Sequence, residues 1–159
     1  MNHRGVWATT LMAASILMIT MGARQSMGLY VGPLNTSTGL GIVTISLAMA
    51  IGQFVWGAIQ PIAGAFADKY GPRPVLLYGL LTLVIGSALT PFISSSLGLI
   101  VTLGVMTAMG AGACSFSVLL GAAAQRMPNE SRGMASGIIN AGGSLGQFVF
   151  APIIQRLIQ

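Results

Sequence analysis

Five long apolar runs, each able to cross a bilayer, leave this chain few ways to fold. They cover residues 6–31, 41–67, 75–92, 97–124 and 133–158. About 20 apolar residues of helix span the hydrocarbon core, and inside it the backbone must satisfy its own hydrogen bonds. The runs exceed strand length and lack a two-residue alternation, which excludes a transmembrane barrel. The breaks carry turn chemistry: Gly32-Pro33-Leu34-Asn35, Asp68 to Pro74, Pro91 with Ser94 to Ser96, and Pro128-Asn129. The expectation is an all-α integral membrane bundle of five transmembrane helices. The first run lacks a short apolar core with a cleavage site, so it reads as a retained helix rather than a signal peptide.

Charge excludes several classes. Only 6% of residues are charged, against about a quarter in soluble domains, so lipid is the main solvent and the bilayer the first partner. The net charge of +5 comes from seven Lys and Arg residues dealt out in small groups. Without a basic stripe or tail, nucleic acid is not expected as a partner. Cys114 is the single cysteine and His3 the single histidine, with two acids in the chain. That set offers no disulfide, metal cluster or catalytic pair, and Cys114 reads as a packing residue. The glycines lie within spans and lack the Lys-Ser/Thr ending of a phosphate loop. Neither an enzyme nor a cofactor is expected.

Cation placement predicts sidedness. Arg4 precedes the first run, Lys69 and Arg73 separate the second from the third, and Arg126 and Arg132 separate the fourth from the fifth. The alternate connections, near Asn35 and Ser95, are uncharged. Five of the seven cations thus fall on one side, which the positive-inside rule makes cytoplasmic. The expectation is a multi-pass protein of the cell inner (plasma) membrane with a cytoplasmic N-terminus. Arg156 can snorkel from the outer end of the fifth helix. Arg24 lies about two-thirds of the way across the first.

The chain also echoes itself. Gly52-Gln53-Phe54-Val55-Trp56 in the second run returns as Gly146-Gln147-Phe148-Val149-Phe150 in the fifth. These helices run in opposite directions, as a three-plus-three inverted repeat requires; chance is the other reading in a chain so rich in few residue types. A repeat implies a sixth helix beyond Gln159, so the chain is expected to be a truncated piece.

The segment Gly64-Ala65-Phe66-Ala67-Asp68-Lys69-Tyr70-Gly71-Pro72-Arg73-Pro74 resembles the cytoplasmic loop motif of the major facilitator superfamily. Gly64, Asp68, Lys69, Gly71 and Arg73 match it, between the second and third helices as in the family; Pro72 departs from a usual basic position. Tyr70 to Val75 looks most like the monocarboxylate-transporter and oxalate–formate antiporter branch. The resemblance implies the first five helices of the six-helix N-terminal half of a twelve-helix fold, with the C-terminal six-helix half absent. It also implies a conformational latch, in which Asp68 and Arg73 hold the two halves together. A charged loop that merely enforces topology is the plainer alternative, though it leaves Asp68 and the spaced glycines without a purpose. No charged residue lies between Leu97 and Ala124, unlike many proton-coupled drug exporters of this superfamily.

Arg24 is the leading substrate-binding candidate. An intramembrane arginine costs a few kcal/mol where it meets lipid, so it should face a wet cavity or a partner. Snorkelling to the outer head groups is the alternative. A carboxylate gripped in bidentate fashion would neutralise it. Gln53, Trp56 and Gln60 form a polar stripe on the second helix, as do Asn140, Ser144 and Gln147 on the fifth. Gln53, Asn140 and Gln147 join Arg24 as substrate candidates; interhelical hydrogen bonding is their other reading. Gly133, Gly137 and Ala141, like Ala108 and Gly112, repeat at four-residue spacing and should let helices approach closely.

The expected function is secondary active transport of small organic anions by alternating access, with monocarboxylate substrates and proton coupling as open expectations. The alternatives are a multidrug or other small-solute carrier of the same superfamily, or a small non-transporting membrane subunit.

Overall fold

The computed structural model describes residues 3–125 and 127–158, with side chains from Gly5 onward. Arg4 and Arg126, two of the cations used for sidedness, lie outside the described side chains. Among the described residues, five helices are long and apolar enough to cross a membrane: α1 (Gly5–Thr38), α2 (Ile42–Tyr70), α3 (Pro72–Phe92), α4 (Ser96–Ala124) and α5 (Asn129–Ile158). The expected all-α membrane fold is the one observed. Large apolar side chains point outward, with Phe54, Phe92 and Phe148 each at least 76% exposed.

Two connections differ from the sequence expectation. Gly32-Pro33-Leu34-Asn35 does not end α1. A 3-10 segment at Ser26–Tyr30 resets the hydrogen-bond ladder, so Pro33 falls in the first turn of Val31–Thr38, where its missing N–H is not needed. The chain turns instead at Gly39 and Gly41, with φ of 66° and 83°, which only glycine adopts readily. The motif between α2 and α3 is likewise hardly a loop. Asp68 and Lys69 occupy the last turn of α2, and Arg73 the first turn of α3 behind Pro72. Gly71, at φ 88°, is the whole connection.

The helices pack as a pair, α1 with α5, and a group of three, α2, α3 and α4, joined through α4. α1 lies along α5, while α4 lies along α2 and α3 and is the most enclosed span. Glycine sets both contacts. A Cβ on Gly142 would lie 2.6 Å from the Ala14 carbonyl oxygen, and one on Gly146 would collide with that of Met18. Where α2 crosses α4, a Cβ on Gly104 would lie 2.8 Å from the Ala48 carbonyl oxygen, and one on Gly52 would lie 3.3 Å from that of Gly104. Gly133 and Gly137, expected to mediate close packing, have nothing near them. The four-residue pattern occurs on two faces of α5, and only the face with Gly142 and Gly146 meets a neighbour.

The two copies of the sequence echo take matching places. Gly52 and Gly146 are buried at helix crossings. Phe54 and Phe148 point outward at 76% and 80% exposure. Pairing α1 with α5 and α4 with α2 is what an inverted repeat demands when α1 corresponds to α4 and α2 to α5.

α4 is not regular. Ser95 caps it, its hydroxyl accepting from the Gly98 N–H at 3.2 Å. Ile100–Thr107 is wound as a π-helix, with the Thr107 hydroxyl donating to the Thr102 carbonyl at 2.8 Å. After Ala113 the helix breaks, Ser115 being extended at ψ 165°. The break marks a change of main neighbours: Ala108–Ala113 packs mainly on α2 and α3, whereas Phe116–Ala124 packs mainly on α1, α2 and α5. Hydroxyls elsewhere return to the carbonyl one turn earlier, as Thr10 does to Val6 and Thr90 to Gly86. The buried Ser115 hydroxyl has no partner among the described residues.

Two stability outcomes follow. Gly146→Val should cost about 2 kcal/mol or more by overpacking the α1–α5 crossing, while Gly137→Ala should be close to neutral; equal melting temperatures for both would contradict this packing. Ser115→Ala should raise the melting temperature, because an unsatisfied buried hydroxyl costs about 1–3 kcal/mol. A lower melting temperature would show that the hydroxyl has a partner.

Candidate functional site

The candidate site forms where α1, α2 and α4 meet, beside the crossing that Gly52 and Gly104 permit. Arg24 lies on α1, half-buried, and its Nη2 donates to the Gln53 Oε1 at 2.5 Å. The guanidinium carbon also sits 4.5 Å from the centre of the Trp56 ring, within the range of a cation–π attraction. Gln53 and Trp56 are three residues apart on α2 and therefore share a face. Together they hold the guanidinium from one side and from below.

A cavity of about 220 Å³ opens beside this pair, lined by Arg24, Met27, Met49, Gln53, Leu103 and Thr107 among others. Its walls are polar and apolar in nearly equal measure, and it is open on one side. The chain's acids are Asp68 and Glu130. From Gln53 to Asp68 is about 22 Å of helix, and Glu130 stands in the first turn of α5. The guanidinium is thus solvated by an amide and a ring, and its charge has no carboxylate nearby.

A larger cavity of about 540 Å³ lies farther along α2. Gly57, Gln60, Gly64 and Asp68 line it from α2, and Ser117, Gly121 and Gln125 from α4. Gln53, Gly57, Gln60, Gly64 and Asp68 follow one another at three- and four-residue steps, so one face of α2 connects the Arg24 pair to the α2–α3 turn. That face is polar or small throughout. Lys69 turns elsewhere, its Nζ 5.0 Å from the Tyr70 ring. Arg73 lines a separate crevice with Thr9 and Met12 of α1.

Of the four substrate candidates, the structure brings together Arg24 and Gln53. Asn140, which is exposed, and Gln147, which is half-buried, lie on α5 and do not line the Arg24 cavity. Trp56 belongs to the α2 stripe, but its place beneath a cation goes beyond that expectation. Its three-residue spacing from Gln53 is the signal. Thr107 carries no such signal, because threonines are common in spans and its position depends on the π-wound segment.

The motif between α2 and α3, the five spans and this intramembrane cation point the same way as comparison with known proteins. The sequence profile of the Major Facilitator Superfamily matches residues 9–158. The chain belongs to this superfamily. The family is one of multi-pass membrane transporters, and this chain carries five spans among its described residues. It is 27% identical over 154 residues to the oxalate:formate antiporter of Oxalobacter formigenes, covering 96% of this chain and 36% of that protein. It is 28% identical over 152 residues to monocarboxylate transporter 13 of Rattus norvegicus, covering 96% and 35%. Identity with a probable sulfoacetate transporter of Cupriavidus necator is 31% over 121 residues, covering 75% and 28%. The chain therefore spans about a third of the length of these relatives.

A double-mutant cycle tests the site's geometry. Arg24→Gln and Trp56→Leu should couple by about 0.5–2 kcal/mol in unfolding free energy, the range of a cation–π contact. Strictly additive effects would separate the two side chains.

Proposed function

We propose that this chain contributes the anion-binding part of a secondary active carrier that moves small organic anions by alternating access. The observation that carries the proposal is the half-buried Arg24 guanidinium, held by the neutral partners Gln53, itself exposed, and Trp56, and lining an open cavity. A carboxylate arriving there would supply the missing countercharge, and a hydrogen bond to a charged group contributes about 1.5–3 kcal/mol. Gln53 would then release or reorient its amide, whose NH2 can donate to the incoming anion. The names of three of the relatives, for oxalate and formate, monocarboxylates and, as probable, sulfoacetate, agree with a small-anion substrate, while another is named as an efflux protein. Monocarboxylates are the substrate class we favour, with protons as the coupling ion.

The remainder of the carrier would be a second six-helix half, packed against the small, polar face of α2. In this arrangement Gly64 and Gly71 let the turn approach that half closely. Asp68, Lys69 and Arg73 would latch the halves together at the cytoplasmic side. Asn140 and Gln147 would meet substrate or the second half from α5. The N-terminus would lie in the cytosol and the carrier in the cell inner (plasma) membrane. Asp68 and Glu130 stand at helix ends rather than beside Arg24, so the proton-carrying acid of such a carrier would come from the second half.

Counterflow of labelled oxalate, formate and lactate into vesicles bearing the full-length carrier tests this. Arg24→Ala should lower kcat/KM for the transported anion by about ten- to a hundredfold, the equivalent of one charged hydrogen bond, and Arg24→Lys should restore part of it. Saturable carboxylate transport that is indifferent to Arg24→Ala would end the proposal.

A further inference from the structure

α2 and α3 carry a third concavity, of about 630 Å³, separate from the two lined by Arg24 and Asp68. Its floor is made of Ala63, Gly79 and Ala113, and its walls include Phe66, Tyr70 and Tyr78. The floor is low because α3 meets α4 there with almost no side chain between them. A Cβ on Gly79 would lie 2.8 Å from that of Ala113. The walls are tall because the aromatic side chains point outward, Tyr70 at 59% and Tyr78 at 72% exposure. Phe66 and Tyr70 stack with ring centres 5.8 Å apart and stiffen one rim.

From Tyr70 to Ile59 the groove follows about 16 Å of helix. That is about half the hydrocarbon thickness, the depth of one leaflet. The lining is almost wholly apolar along this length. Its mouth is not. Lys69 sits 5.0 Å from the Tyr70 ring, at the end of α2 where the span leaves the membrane. Asp68, the neighbouring acid, lines the cavity on the other face of α2, and Arg73 is turned toward α1. The cation at this mouth is therefore Lys69, over a tyrosine of the kind that sits at head-group level.

We propose that this groove is a phospholipid site: it takes one acyl chain along Tyr70 to Ile59 and holds an anionic head group against Lys69. The shape supplies retention and the ammonium supplies the preference for negative charge. This uses neither Arg24 nor the anion cavity; Lys69, one of the latch-turn residues, would hold the head group when it is not engaged with the second half.

The test uses the full-length carrier in nanodiscs containing phosphatidylglycerol or phosphatidylcholine with a photoreactive acyl chain. Phosphatidylglycerol should crosslink to the segments 59–70 and 75–82 about fivefold more than phosphatidylcholine, the factor one cation near an anionic surface supplies. Lys69→Gln should abolish the difference between the two lipids, and Lys69→Arg should keep it. Ile62→Trp, at a half-exposed groove position, should remove crosslinking there while labelling of the outward face of α5 continues, which reports intact insertion. Equal labelling by both lipids, label spread evenly over all outward faces, or a groove left unlabelled because protein fills it would each overturn the proposal.

Discussion

An arginine inside a membrane bundle must be solvated by whatever the surrounding helices provide, and this requirement shapes the centre of the structure. Burying a full charge without partners costs several kcal/mol. Arg24 meets that cost with an amide oxygen at 2.5 Å and the face of an indole. Both come from α2, which the long arginine side chain reaches without close packing of the two helices at that level. The residue before Gln53 is Gly52, whose bare Cα lets α4 in from the other side. The packing contact and the polar contact are therefore adjacent in sequence, and moving one would disturb the other.

The same economy extends along α2. Its faces are separated by function: Gln53 to Asp68 presents small and polar residues to the two cavities, while Phe66, Tyr70 and Ile62 face outward. α4 serves both halves of the bundle by changing direction. Ala108–Ala113 follows mainly α2 and α3, Phe116–Ala124 follows α1 and α5 as well, and the break at Cys114–Ser115 lies between them. A regular helix would keep one set of neighbours. The unpartnered Ser115 hydroxyl is the local cost of that change.

Much of this architecture is legible in the amino-acid sequence. Uniform apolar runs identify spans because bilayer thickness sets their length, and the residues Gly64, Asp68, Lys69, Gly71 and Arg73 identify the superfamily. Arg24 stands out because a charge in a span needs an explanation. Other features are hidden for physical reasons. Pro33 looks like a helix terminator, yet a preceding 3-10 turn makes it a helix starter. Gly133 and Gly137 have the spacing of a packing seam, but spacing cannot say which face of α5 meets a neighbour. The irregular winding of α4 leaves no trace, because its Gly- and Ala-rich sequence is compatible with an ordinary helix and tertiary packing decides otherwise. Trp56 reads as one member of a stripe, since a ring beneath a cation is a matter of three-dimensional approach.

The central claim is that Arg24 waits for an anion rather than serving only to tie α1 to α2. The most direct measurement is its rate of modification by phenylglyoxal in the full-length carrier in vesicles, followed by mass spectrometry of the α1 peptide. A saturating small carboxylate should slow modification of Arg24 severalfold, while chloride at the same ionic strength should not. An unchanged rate with every carboxylate tried would make the guanidinium a structural tie and contradict the account.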